Sequence, residues 1–117
     1  MISHIAFFGD TSHVFTLTPR EIVELERLSG VGIGAFCQRI SRRDARYSDL
    51  RDVIRLGLIG GGLDPQDAEG MVATYVDGRP LERTFLLAID IVAALYFGAS
   101  EETIDIDMGT EPDEAQS

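Results

Sequence analysis

The stretch Ser48-Asp49-Leu50-Arg51-Asp52-Val53-Ile54-Arg55-Leu56-Gly57-Leu58-Ile59-Gly60-Gly61-Gly62 decides the fold class. Leu50, Val53, Ile54, Gly57 and Leu58 recur at i, i+3, i+4, i+7 and i+8, which is one face of an α-helix. Ser48 suits the N-cap, and Asp49 and Asp52 suit the positive end of the helix dipole. The three glycines then end the helix. Leu56, Ile59 and Leu63 are apolar but fall off the inward stripe, so they are candidates for contact with a partner.

Upstream, the spacing predicts a helix from Ile33 to Arg43 with Ile33, Phe36, Cys37 and Ile40 on one face. Before it, Thr18-Pro19-Arg20-Glu21 reads as a capping box with proline at the first helical position. Leu17 and Ile22 flank it as a hydrophobic staple. That helix runs to about Ser29, turns Ile22, Leu25 and Leu28 inward, and stops at Gly30. Residues 3–17 predict a β-hairpin. Ile5 and Phe7 alternate with His4 and Ala6, Phe15 and Leu17 alternate with Val14 and Thr16, and Gly9-Asp10-Thr11-Ser12 supplies the turn. A lone hairpin is marginal in water, so it is expected to lie on the helices.

Downstream, Asp64-Pro65 repeats the cap-then-proline device, and Ala68, Met71, Val72, Tyr75 and Val76 repeat the helical spacing. Asp77-Gly78 closes that helix and Pro80 opens the last. From Phe85 to Phe97 the last helix is apolar nearly all round, which marks burial on several sides, a partner, or self-association. Leu87 and Tyr96 are its candidate outer contacts. The expected fold is therefore mainly α: an N-terminal hairpin and about five short helices in one compact domain over residues 1–98. Residues 99–117 are expected to form a disordered acidic tail, from low hydrophobicity and high charge.

Charge and composition exclude several classes. The 117-residue chain has a net charge of −10, but residues 1–98 hold 10 Arg against 13 carboxylates while residues 99–117 hold 7 carboxylates and no base. Nucleic-acid binding by the whole molecule is disfavoured, because phosphate contacts need a net basic face. No run approaches the ~18 apolar residues of a membrane span. The first residues lack a basic segment followed by a long apolar run, so no secretory signal is expected. One cysteine, Cys37, allows no internal disulfide and fits a reducing, cytoplasmic setting.

No constellation for catalysis or cofactor binding emerges. Gly30-Val31-Gly32-Ile33-Gly34 follows a helix, whereas a dinucleotide fingerprint follows a strand, and the chain contains no lysine for a phosphate loop. Both glycine clusters read as turns. His4 and His13 could face each other across the hairpin, but two histidines and Cys37 fall short of a zinc ligand set. Asp90, in the apolar last helix, is the one carboxylate whose pKa burial could raise; Arg83, Arg55 or Arg79 are its expected partners. Arg39, Arg42, Arg43, Arg46, Arg51 and Arg55 lie within 17 residues among Asp44, Asp49 and Asp52. A salt-bridged surface is the plain reading of this group. Arg39, Arg42 and Arg43 are its candidates for an acidic partner, which could also be the chain's own tail.

Several stretches together carry a resemblance. They are Phe8-Gly9-Asp10, Leu17-Thr18-Pro19 with Glu24-Leu25-Glu26, and Gly30-Val31-Gly32-Ile33-Gly34-Ala35. The specific ones are Ile54-Arg55-Leu56-Gly57-Leu58-Ile59-Gly60-Gly61-Gly62 and Tyr75-Val76-Asp77-Gly78-Arg79-Pro80-Leu81. Over about residues 5–98 the chain resembles the small tail protein of gene transfer agents and related prophages, labelled either a tail tube protein or a tail assembly chaperone. The resemblance implies a non-enzymatic protein without cofactor that binds tape-measure and tail tube proteins. Tube walls are built from β-sandwich-like domains, so a helical chain fits the chaperone better. The rival expectations are a structural tail component retained in the particle and a small nucleic-acid-binding regulator.

Overall fold

The computed structural model describes residues 2–98; Met1 and residues 99–117, with the expected acidic tail, lie outside them. The described residues form β1 (His4–Phe8), β2 (Thr11–Phe15), α1 (Pro19–Ser29), α2 (Ile33–Ser41), α3 (Tyr47–Gly60), α4 (Pro65–Tyr75) and α5 (Leu81–Phe97). The mainly helical architecture with an N-terminal hairpin is the expected one.

At the start of α1 the Glu21 carboxylate accepts the Thr18 backbone N–H at 2.9 Å and its hydroxyl as well, so the capping box forms. Gly30 ends α1 in the left-handed region at φ +79°. α4 begins with the Asp64 carboxylate accepting the Gln66 N–H at 3.1 Å. Two boundaries differ from expectation. α2 stops at Ser41 because the chain reverses through Arg43 at φ +58°. The N-cap of α3 is Arg46, so Ser48 is already inside the helix. Asp49, at the third helical position, accepts the Arg46 N–H at 2.9 Å, so the start of α3 is held from inside the helix and not by an N-cap side chain.

The hairpin is tighter than expected. Phe8 pairs with Thr11, leaving a two-residue turn, Gly9-Asp10, with Gly9 at φ +75°. That register puts Ile5 opposite Val14 and Phe7 opposite Ser12, on the face away from the helices. Ala6, Phe8 and Phe15 face inward instead. The turn is two residues shorter than the expected Gly9–Ser12 turn, which slides the pairing by two residues and leaves the faces of each strand unchanged. Phe8 then meets Phe15 and Tyr75 edge-to-face, with centroids 5.9 and 5.8 Å away.

α3 is the axis of the core. Leu50, Val53, Ile54 and Leu58 are buried on it, joined by Leu25, Phe36, Ile40, Val72 and Val92 from the other helices. Its glycines do more than end it. The Thr16 N–H donates to the Gly57 carbonyl at 2.9 Å, and β2 runs directly over the end of the helix. A Cβ at Gly60 would sit 1.8 Å from the Thr16 carbonyl oxygen, and one at Gly61 1.9 Å from that of Val14. A Cβ at Gly57 would press on Phe15 at 3.2 Å. Backbone lies on backbone here, and only glycine permits it.

Candidate interaction surface

The arginine group resolves into separate structural jobs. Asp49 is fully buried, yet its carboxylate is held by Arg46 at 3.0 Å and Arg39 at 3.1 Å. Arg46 also donates to the Ser29 carbonyl at 3.2 Å, so the cluster ties the end of α1 to α2 and to the start of α3. Burial pushes the Asp49 pKa upward, but the bonds from Arg46 and Arg39 together outweigh it and hold the carboxyl below its ordinary value. Arg51 bridges Asp77 at 2.8 Å and Glu69 at 3.1 Å, tying α3 to α4 and the loop beyond it. Tyr47 adds its hydroxyl to Asp77 at 2.6 Å. Arg51 and Tyr47, in that order, lower the Asp77 pKa. Arg55 reaches Asp52 at 3.4 Å. Arg42 and Arg43 are exposed and have no carboxylate partner among the described residues. The structure therefore separates Arg39, engaged on a buried carboxylate, from Arg42 and Arg43.

The apolar candidates do not converge on one groove. Leu56 is only 5% exposed and belongs to the core, with one edge in a shallow depression beside Val23 and Pro19. Its position off the inward stripe did not leave it outside, because α1 covers that side of α3. Ile59 and Leu63 are half-buried against the core. Tyr96 is exposed, edge-to-face with Phe97 at 5.1 Å, and Phe97 is 83% exposed at the end of α5. Tyr96 lines a small recess with Ile22, Ile33 and Cys37, Leu63 lines one with His13 and Leu58, and Leu87 lines the recess at the hairpin tip.

That recess, of about 420 Å³, lies between the hairpin tip, the α4–α5 loop and the first half of α5. Phe7, Phe8, Ile54, Tyr75, Val76 and Leu87 give it apolar walls, and Arg79 and Arg83 stand at its polar side. Phe7 is 71% exposed. The Arg79 guanidinium lies 5.8 Å from the centre of the Tyr75 ring. Neither arginine has a carboxylate partner among the described residues. Gly9 is indispensable at the rim, since a Cβ there would meet the Tyr75 ring at 2.6 Å. Beside the groove, Ile5, Phe7 and Val14 leave the outer hairpin face apolar and exposed.

Asp90 is corrected as well. Its side chain is 60% exposed and its neighbour is His4, 3.8 Å away, and none of the expected arginines approaches it. α5 turns this position outward, beside β1, so the carboxylate faces water. His4 and His13 share the inner face of the hairpin, though paired with Phe15 and Ala6 rather than with each other. Cys37 is buried on α2, and burial pushes its thiol pKa up. Among the described residues no His, Cys, Asp and Glu group could hold a metal ion, and no helix is long and apolar enough to cross a membrane.

Residues 2–98 match the family described as phage tail tube protein, GTA-gp10. The chain belongs to that family. No curated protein and no solved structure matches it. Membership makes it a phage-type tail protein, and the geometry explains why two of its stretches look as they do. In this tail protein the run Ile54–Gly62 seats the hairpin through Gly57, Gly60 and Gly61. The run Tyr75–Leu81 supplies Tyr75, Arg79 and Pro80 to the groove. Sequence reasoning missed Phe7 and the two arginines as a site. The signal available was the alternation along β1: with Phe8 turned inward, Phe7 falls on the opposite face.

Proposed function

We propose that this tail protein is a non-catalytic assembly chaperone of a phage-like particle. It holds an apolar segment of the tape-measure protein in the producing cell's cytoplasm and yields it to tube subunits. The observation that carries this reading is the groove at Phe7 and Leu87, an apolar recess open beside an exposed apolar hairpin face. A tape-measure protein must present long apolar helical stripes before assembly, and a helix lying in a groove is the usual way to cover one. The two-stranded sheet among the described residues is small beside the sheets from which tube walls are built. Leu87 lines that groove in this reading, Tyr96, Ile59 and Leu63 lie outside it, and Arg42 and Arg43 offer exposed charge at a separate place.

The test is co-expression with the tape-measure protein, pull-down, and assay of purified particles for this chain. Capture of the tape measure, lost in Phe7→Ser and Leu87→Ser, together with absence from particles, is the expected result. Recovery in particles in stoichiometric amount would overturn it in favour of the second reading, a structural tail component. The family description as a tube protein favours that second reading. The nucleic-acid regulator has the least support, because four of its six arginines are engaged by carboxylates.

A further inference from the structure

The two edges of the hairpin meet different surroundings. Along β2 the outward edge is shut: the Thr16 N–H donates to the Gly57 carbonyl at 2.9 Å, and the Val14 carbonyl lies against Gly61. Along β1 the outward edge is open. The two-residue turn makes Phe8 and Thr11 a hydrogen-bonded pair, and the alternation of an antiparallel ladder then bonds Ala6 to His13 and His4 to Phe15. The N–H and C=O groups of Ile5 and Phe7 therefore point away from β2. Among the described residues no other backbone group meets them, and both residues are mostly exposed. Native edges are usually blunted by a charge, a proline or a bulge. His4-Ile5-Ala6-Phe7-Phe8 contains no proline and no Asp, Glu, Lys or Arg, and its pairing with β2 is unbroken.

The helix beside this edge indicates what covers it. β1 runs along α5 in the opposite direction: His4 lies 3.8 Å from Asp90, whereas Phe7 and Phe8 share the recess with Arg83 and Leu87. The exposed Asp90 carboxylate thus marks one end of the face. Arg79 and Arg83, with no carboxylate partner among the described residues, mark the other. Leu86 is exposed between Arg83 and Asp90, at i+3 from one and i−4 from the other. The two elements match in length, about 13 Å from His4 to Phe8 as strand and about 10 Å from Arg83 to Asp90 as helix. A two-fold axis through the middle of such a face sets its basic end against its acidic end twice over.

The geometry points to a second copy of this chain as the occupant of the edge. The two β1 strands pair antiparallel about Ala6, so that Ile5 and Phe7 exchange backbone hydrogen bonds with the partner's Phe7 and Ile5, and Arg83 faces the partner's Asp90. The two hairpins then form one four-stranded sheet. Because the pairing closes over Phe7, it competes with the tape-measure segment of the proposed function; the contact itself does not rest on that reading.

Sedimentation of the full chain over a concentration series tests this. A reversible monomer–dimer equilibrium is expected, and a chain still monomeric at submillimolar concentration would overturn the proposal. Amide hydrogen exchange on the unaltered chain locates the contact. The Ile5 and Phe7 amides should exchange freely in dilute protein and slow as the dimer forms; unchanged exchange in the dimer would sink the strand pairing. Ile5→Pro removes only an outward N–H, which an edge strand tolerates, and a far-UV spectrum checks that the fold is kept. This variant is expected to be monomeric, and a folded Ile5→Pro dimer would assign the contact to another surface. Arg83→Glu and Asp90→Arg are each expected to raise the dissociation constant about tenfold, since a symmetric dimer loses the exposed pair twice. The double variant exchanges the two charges and is expected to return close to the parent value. A double variant no tighter than either single one would contradict the antiparallel register. None of these readouts involves the tape-measure protein, so failure here is distinct from failure of the proposed function.

Discussion

The two faces of the hairpin carry similar apolar side chains and meet opposite environments. Phe8 and Phe15 face inward and close the core over α3, while Ile5, Phe7 and Val14 face outward into solvent. Composition does not separate the faces; the alternation of side chains along each strand does, once Phe15 is seated against Gly57 and Phe8 against Tyr75. The difference teaches that on this molecule apolar character alone does not assign a residue to stability. The inner face works through contact with the protein, and the outer face is free for contact with something else.

Substitutions can break this contrast in decreasing order of effect. Phe15→Ala removes a ring that is almost wholly buried against Gly57, Phe8 and the core, and is expected to cost about 4 kcal/mol in urea unfolding. A loss below about 1 kcal/mol would mean that the hairpin is not seated as described. Gly60→Ala is expected to cost about 3 kcal/mol, because the added Cβ meets a backbone oxygen that cannot rotate away. A variant as stable as the parent would show that β2 does not press on α3.

Asp49→Asn sharpens the contrast from outside the hairpin, with an expected loss of about 2 kcal/mol at neutral pH from weakened charged hydrogen bonds. The folded Asp49 carboxyl has a lowered pKa, so its contribution is complete above the unfolded value of about 3.9 and is lost as pH falls through the lower folded value. Thermal melts between neutral and strongly acidic pH should therefore fall less steeply in the variant than in the parent. Equal slopes would remove Asp49 from the acid response. Last, Phe7→Ser should change stability by no more than about 0.5 kcal/mol, since the ring is mostly in water. Its expected effect is on capture of the tape-measure protein, read by pull-down. A large stability loss with unchanged capture would reverse the assignment of the two faces.

Much of the fold was legible because it was written in local signals. The capping box at Thr18 and Glu21, the glycine at position 30, Asp64-Pro65, and the apolar spacing through α3 and α4 each act within a few residues. The misplaced side chains depended on something distant. Leu56 went inward because α1 lies over it, and Asp90 turned outward beside His4. The site was less legible than the fold. Of the apolar candidates, Leu87 reached the groove, while Phe7, Arg79 and Arg83 were brought to it by three separate elements.

By itself the sequence determined the helical elements, their caps and stops, the absence of an internal disulfide and the concentration of acid beyond residue 98. These follow from spacing, capping and charge, which act along the chain. Only the tertiary structure decided that Gly60 and Gly61 are a seat for β2, that Asp49 is the buried knot of three helices, and that Phe7 opens onto a groove flanked by Arg79 and Arg83. The physical reason is that close approach and burial belong to pairs of residues far apart in sequence. No local pattern states which backbone will lie over a glycine or which side chain will be left facing water.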